Sequence, residues 1–220
     1  FGCPGWIEGV LQANAFIKSG MAKRCLVIGA ETLSRVVDVH DRDSMIYADG
    51  SGAAVLEACA DHDGLLSFES ATYASDEANY LYFGNSFNTK LDPSIRYIKM
   101  HGRKIYEFAL SRVPQAMKEC VDKSGIDIKD IKKILIHQAN EKMDEAIVNR
   151  FYKLYDEATP EGIMPMSISF LGNSSVATIP TLYDLLLQGK IEGQTIHKGD
   201  VLLFASVGAG MNINAFVYKH

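Results

Sequence analysis

Residues 134–143 read Ile134-Leu135-Ile136-His137-Gln138-Ala139-Asn140-Glu141-Lys142-Met143, and this stretch decides the fold. An apolar run of strand length ends in a histidine, a short polar turn follows, and a helical pattern then runs from Met143 to Leu154. Asn140 suits the junction, because its side chain can accept a hydrogen bond from one of the N–H groups that a helix start leaves unpaired. A strand feeding a helix through a polar turn is the unit of layered α/β folds.

The same alternation extends in both directions. Upstream, Ile105, Phe108, Ala109, Val113, Ala116, Met117, Cys120 and Val121 form a helical stripe that Gly125 ends, which turns Cys120 toward the core. Downstream, a helix is expected from about Ser174 to Leu187 and a strand over Val201 to Ala205. A last strand should alternate Ile213, Ala215 and Val217 against Asn212, Asn214 and Phe216. At the start, Trp6, Ile7, Val10, Leu11, Ala13, Phe16 and Ile17 share one face of a helix over residues 5 to 19, ended by Gly20. Leu26 to Ala30 is continuously apolar, as in a buried strand. Ala53 to Ala58 and Leu65 to Ser70 read as two more strands, with Asp61, His62, Asp63 and Gly64 as the turn between them. Residues 71 to 98 are polar, aromatic and weakly periodic, a long surface excursion. The fold class is therefore α/β and layered, with no repeat of solenoid period.

With 220 residues, 47% of them hydrophobic and 22% charged, the chain can bury one large core or two small ones. Its 22 Lys and Arg against 27 Asp and Glu give a formal charge of -5, with no basic stripe interleaved with aromatics, so nucleic acid is not an expected partner. Cys3, Cys25, Cys59 and Cys120 stand far apart with no CxxC pair, which argues against a disulfide framework or a zinc ribbon and for a reducing, cytoplasmic setting. The longest apolar stretches are strand-sized, so no membrane partner is expected, and no leader pattern opens the chain, which starts as if within a longer protein.

Cys3 stands in Phe1-Gly2-Cys3-Pro4-Gly5-Trp6 just before the first helix, where a helix N-terminus favours a thiolate. His137 ends a strand, and Asn173 precedes a helix in Leu171-Gly172-Asn173-Ser174-Ser175. Taken singly, each has a plain structural reading: a small buried thiol, a core histidine, a helix cap. Gly208-Ala209-Gly210-Met211-Asn212-Ile213 lacks the third glycine of a dinucleotide loop and leads into a strand. Asp49-Gly50-Ser51-Gly52 is not GxSxG, there is no HExxH, and the six histidines are not at metal-ligand spacing.

Taken in order, Asp41-Arg42-Asp43-Ser44, Asp49-Gly50-Ser51-Gly52-Ala53-Ala54-Val55-Leu56, Met100-His101-Gly102-Arg103, His137-Gln138-Ala139-Asn140, Gly172-Asn173-Ser174-Ser175 and Gly208-Ala209-Gly210 resemble the ketoacyl-[acyl-carrier-protein] synthase III family of the thiolase superfamily. The resemblance covers nearly the whole chain. It implies a thiolase-like layered fold, α-β-α-β-α at full length, of which this chain would be the C-terminal two-thirds. Residues 1–100 would be the remainder of the N-terminal half, carrying the nucleophile, and residues 101–220 the C-terminal half, carrying the histidine and asparagine.

By the same resemblance, Cys3 accepts the acyl group, while His137 and Asn173 hold the malonyl thioester carbonyl during decarboxylation. The oxyanion hole would come from the N–H groups of Cys3 and Gly208. Arg42 would lie on the adenine of coenzyme A, Asn140 would touch pantetheine, and Lys142 would dock the acidic carrier protein. The implied activity is decarboxylative condensation of an acyl-CoA with malonyl-[acyl-carrier-protein], starting fatty acid synthesis in a cytoplasmic homodimer. The implied cofactor is none, with the coenzyme A thioester as substrate. Asn173 separates this type from elongating ketosynthases, which carry a second histidine there, and the absence of a cysteine after Cys120 separates it from degradative thiolases. Ala48 and Ser206 replace phenylalanines that relatives place near the acyl pocket, which suggests a reshaped pocket. A related acyltransferase, a polyketide or hydroxymethylglutaryl-type condensing enzyme, and a catalytically silent partner subunit are the competing readings. The isolated 220-residue piece is expected to be poorly active.

Overall fold

A computed structural model describes residues 1–59 and 64–220; the turn expected at Asp61, His62 and Asp63 lies outside the described residues. Its centre is a four-stranded sheet in the order β3-β8-β7-β6, built from β3 (Gly64–Thr72), β6 (Ile131–Ile136), β7 (Val201–Gly208) and β8 (Asn212–Lys219). β6 and β7 run parallel, and the other pairs are antiparallel. Successive side chains of a strand point to opposite faces, so β7 divides its residues between two cores. Leu203 and Ala205 meet α2 (Gly102–Ser124) and α3 (Glu141–Lys153), joined by Val113, Met117, Cys120, Ile147 and Phe151. Leu202 and Phe204 meet α1 (Gly5–Lys18) and α5 (Thr178–Leu187), joined by Trp6, Ile7, Leu182 and Leu186. Each fully buried side chain of this kind contributes roughly 1.5–3 kcal/mol relative to exposure.

Beyond α1 and α5 lies a second layer of strands, β1 (Arg24–Thr32) paired antiparallel with β2 (Asp49–Glu57). The order of layers is thus helix, sheet, helix, sheet. The expected surface excursion holds a short antiparallel ribbon of β4 (Leu81–Gly84) and β5 (Tyr97–Met100) that the weak periodicity did not announce. A one-turn helix, α4 (Ile168–Leu171), precedes the segment that carries Asn173. The next helix starts later than Ser174, because Ser175–Ala177 first form a tighter 3₁₀ turn.

Three patterning expectations are corrected. Leu26 to Ala30 is not a buried run: Val27 faces α1, whereas Leu26 and Ile28 are 62% and 59% exposed, since only one face of the β1–β2 pair is covered. Phe16 leaves its expected face and is exposed in the last turn of α1, whose buried residues end at Ala13. In β8 both faces are buried from Ile213 to Val217, and Phe216 stacks on Phe204 with ring centroids 4.4 Å apart.

Glycine holds the β1–β2 pair at close quarters to the Ser174–Val176 segment. A Cβ on Gly29 would stand 2.4 Å from the Val176 carbonyl oxygen, and one on Gly50 would stand 2.9 Å from the Ser174 Cβ. The β1–β2 pair therefore lies nearly backbone to backbone on the segment that follows Asn173. Gly29→Ala must push β1 away from the Val176 backbone and is expected to cost about 1–3 kcal/mol. Urea unfolding checks this, as a lowered midpoint at unchanged slope.

Candidate active site

Cys3, His137, Asn140, Asn173 and Gly208 all line one cavity of about 310 Å³. Its walls are otherwise mostly apolar, among them Ile46, Leu81, Ile105, Tyr106, Met143 and Val207. These five residues come from four separate parts of the chain, and each lies at or beside the end of an element.

Cys3 sits on the turn into α1, where Gly5 N–H donates to the Gly2 carbonyl at 2.8 Å. Gly208, the last residue of β7, comes against it: a Cβ there would lie 2.6 Å from Pro4 Cδ and 2.9 Å from Cys3 N. The thiol keeps part of its surface open to the cavity. Atoms crowd it on its other sides, and that desolvation pushes its pKa up to about 11, against a lowering contact from Ser175. Burial thus opposes the thiolate that the helix start favours.

His137 follows β6, its N–H donating to the Ala205 carbonyl at 2.9 Å. Burial holds its pKa down at about 4, with the nearby Asp144 pulling the other way, so the ring is neutral at pH 7. Its Nδ1 has no hydrogen-bond partner among the described residues. Asp144 is 1% exposed, and both its oxygens lack a partner among the described residues. The Asn140 and Ala139 N–H groups face that carboxylate without reaching hydrogen-bond geometry, and burial lifts its pKa to about 8.

Asn173 is clamped by its backbone, which donates to Ile46 O at 2.8 Å and accepts from Ala48 N at 2.9 Å. Its side-chain oxygen accepts from Ser175 N at 2.9 Å, so the amide nitrogen is the end of the side chain left to donate among the described residues, and Asn173 lines the cavity. Ser175 carries a second contact, from its hydroxyl to the Cys3 sulfur at 3.4 Å and to Glu31 Oε1 at 3.0 Å.

Asn140 fills its expected capping role, accepting from Met143 N at 3.2 Å, and it also lines the cavity. Lys142 is exposed on the first turn of α3. Arg42 is exposed at the start of a 3₁₀ turn, Arg42–Ile46, whose next residue Asp43 lines the cavity. That turn is anchored by Lys99, which donates to Asp38 at 2.6 Å and Asp41 at 2.9 Å while almost fully buried. Ala48 and Ser206 do not reach the cavity. Val207 faces it, so strand alternation turns Ser206 away, and Ala48 packs toward Gly172.

Glu31, Asp144 and the hydroxyl of Ser175 were not singled out by sequence. Asp144 did leave a signal: it is an acid in the stripe of Ile147, Val148 and Phe151, which are all buried. Because the folded chain keeps the Asp144 proton up to about pH 8 while an unfolded carboxyl releases it near 3.8, this group's contribution to stability falls as pH rises between those values. His137 runs the opposite way up to pH 6.5, so the comparison must be with a variant. Asp144→Asn is expected to melt several degrees above the parent at pH 8, with the gap closing near pH 4 in thermal scans.

Family models match two stretches: "3-Oxoacyl-[acyl-carrier-protein (ACP)] synthase III" over residues 1–74 and its C-terminal counterpart over residues 121–220. The beta-ketoacyl-[acyl-carrier-protein] synthase III of Microcystis aeruginosa is 30% identical over 99% of this chain and 65% of its own length. That of Porphyra umbilicalis is 34% identical over 99% of this chain and 66% of its own. The chain thus spans about 65% of the length of the relatives it matches. Among solved structures, the Thermus thermophilus synthase III superposes with a TM-score of 0.85 at 29% identity, covering 100% of this chain and 66% of that one. The Aquifex aeolicus protein gives 0.83 at 29% identity, covering 100% and 65%. With both halves of the family pattern matched in order and the fold shared, this chain belongs to the 3-oxoacyl-[acyl-carrier-protein] synthase III family.

Proposed function

We propose that the chain forms the condensing site of a 3-oxoacyl-[acyl-carrier-protein] synthase III, joining an acyl-CoA to malonyl-[acyl-carrier-protein] with loss of CO₂ to start fatty acid synthesis. The observation that carries this reading is the convergence of a thiol, a neutral imidazole and an oriented amide on one apolar cavity. In the first half-reaction the Cys3 sulfur attacks the acyl-CoA carbonyl, and the coenzyme A thiolate leaves. One thioester replaces another, so the step is nearly balanced in energy.

In the second half-reaction the malonyl thioester oxygen sits between His137 and Asn173. Loss of CO₂ leaves an enolate, and its negative oxygen is held by a ring N–H of His137 and by the Asn173 amide N–H. A buried neutral histidine suits this task, since it donates without carrying a charge that must be desolvated. The enolate carbon then attacks the Cys3 thioester. Its oxyanion is received by the N–H groups of Cys3 and Gly208, and the Cys3 thiolate departs. In this reading coenzyme A is a substrate and there is no resident cofactor. Arg42 stacks on its adenine, Asn140 contacts pantetheine, and Lys142 meets the acidic carrier protein. A homodimer in the cytoplasm completes the reading.

Intact-mass spectrometry of the full-length parent protein after incubation with a panel of acyl-CoA thioesters is the test. A gain of one acyl group that Cys3→Ser abolishes is the expected result; no adduct from any thioester overturns the reading. His137→Ala and Asn173→Ala should each lower the condensation rate by about 10²–10³ while leaving Cys3 loading within a few-fold, since each removes one oxyanion donor. Gly208→Ala forces a Cβ into Cys3 and Pro4, and is expected to abolish loading on the same mass readout.

A further inference from the structure

Resting on the reading of Cys3 as the nucleophile, we propose that Ser175 and Glu31 form a proton relay that takes the Cys3 thiol proton as the sulfur attacks. The Ser175 hydroxyl stands 3.0 Å from Glu31 Oε1 and 3.4 Å from Cys3 Sγ, but it has one hydrogen to give. An ionised carboxylate is the stronger acceptor, so that hydrogen points to Glu31. With that hydrogen directed to Glu31, the serine oxygen can accept from the thiol S–H; once the sulfur has lost its proton, the same hydroxyl donates to the thiolate, the arrangement that lowers the thiol pKa, so the path from sulfur to carboxylate is continuous. Ser175 is 7% exposed, and its φ of 51° lies in the left-handed region that a residue with a side chain seldom enters. The same residue's N–H orients Asn173, so one strained position serves both halves of the site.

The buried thiol explains why a relay is needed. A sulfur that keeps its proton to high pH has no standing thiolate to offer at pH 7. In the relay, the Cys3 proton moves to Ser175 Oγ while the Ser175 proton moves to Glu31, as the bond from Sγ to the acyl carbon forms. The bond from that carbon to the coenzyme A sulfur then breaks, and the departing thiolate takes up the proton that Glu31 releases. Other ionisable groups face the same sulfur: Tyr47, which senses its charge, and His137 across the cavity. Ser175 is the one of the three with a hydrogen bond to that sulfur among the described residues, at 3.4 Å.

The sign of one substitution separates the relay from simple electrostatics. Through space, the Glu31 charge keeps the proton on the thiol, so Glu31→Gln should speed reaction of Cys3 if no relay exists. With the relay, Glu31→Gln slows it. Alkylation of Cys3 by iodoacetamide, followed by intact mass from pH 6 to 10, reads this without relying on acyl transfer. At pH 7, Glu31→Gln and Ser175→Ala are each expected to react at least tenfold more slowly than the parent, with the gap narrowing toward pH 10. The double variant should be no slower than either single one. Alkylation of Glu31→Gln at or above the parental rate, a wild-type rate in Ser175→Ala, or a deficit equal at every pH overturns the relay. Acyl-CoA loading on the same samples is scored separately, so its absence beside this alkylation pattern would sink only the acyl-transfer reading.

Discussion

The site depends on backbone approaching backbone more closely than any side chain would allow. Gly208 lets the end of β7 touch the turn that carries Cys3, and Gly29 and Gly50 let the β1–β2 pair rest on Ser174 and Val176. Through these contacts Glu31 at the end of β1, Ser175 on its 3₁₀ turn and Cys3 at the head of α1 come within hydrogen-bonding reach. Dense packing passes such restraints on with little slack, so these contacts fix where residues far apart in the chain stand relative to one another.

A second constraint is the dryness of the cavity. Burial works against charge, and each titratable group at its wall responds in its own direction: the Cys3 thiol and the Asp144 carboxyl rise, and His137 falls. All three are therefore drawn toward their neutral forms. In the proposed condensation that favours neutral hydrogen-bond donors at the enolate, and charge would appear only when the reaction creates it. The Lys99 cluster is the contrasting case, since the paired Asp38 and Asp41 keep a buried ammonium charged. It anchors the turn bearing Arg42 to β5 without entering the cavity.

Much of the scaffold is written locally. The helical stripe ending at Gly125, the strand closed by His137 and the Asn140 cap follow from residue spacing and short-range hydrogen bonding, and each stands where the chain itself placed it. Patterns failed where burial was decided by neighbours remote in sequence. The apolar run from Leu26 to Ala30 has one open face, while the polar alternation of β8 lies between two helix layers. No local signal distinguishes those cases, because a strand's periodicity reports its own faces and not what will cover them.

The residue types and their order thus determined by themselves the α/β class, the element ends that bear Cys3, His137 and Asn173, and the family these resemble. Tertiary structure alone decided the protonation of the thiol, the buried acid at Asp144 and the path from Cys3 through Ser175 to Glu31. A pKa depends on what displaces water around a group, and a hydrogen bond between residues 31 and 175 depends on how two layers pack. Both are properties of distance in space, which the linear chain does not carry.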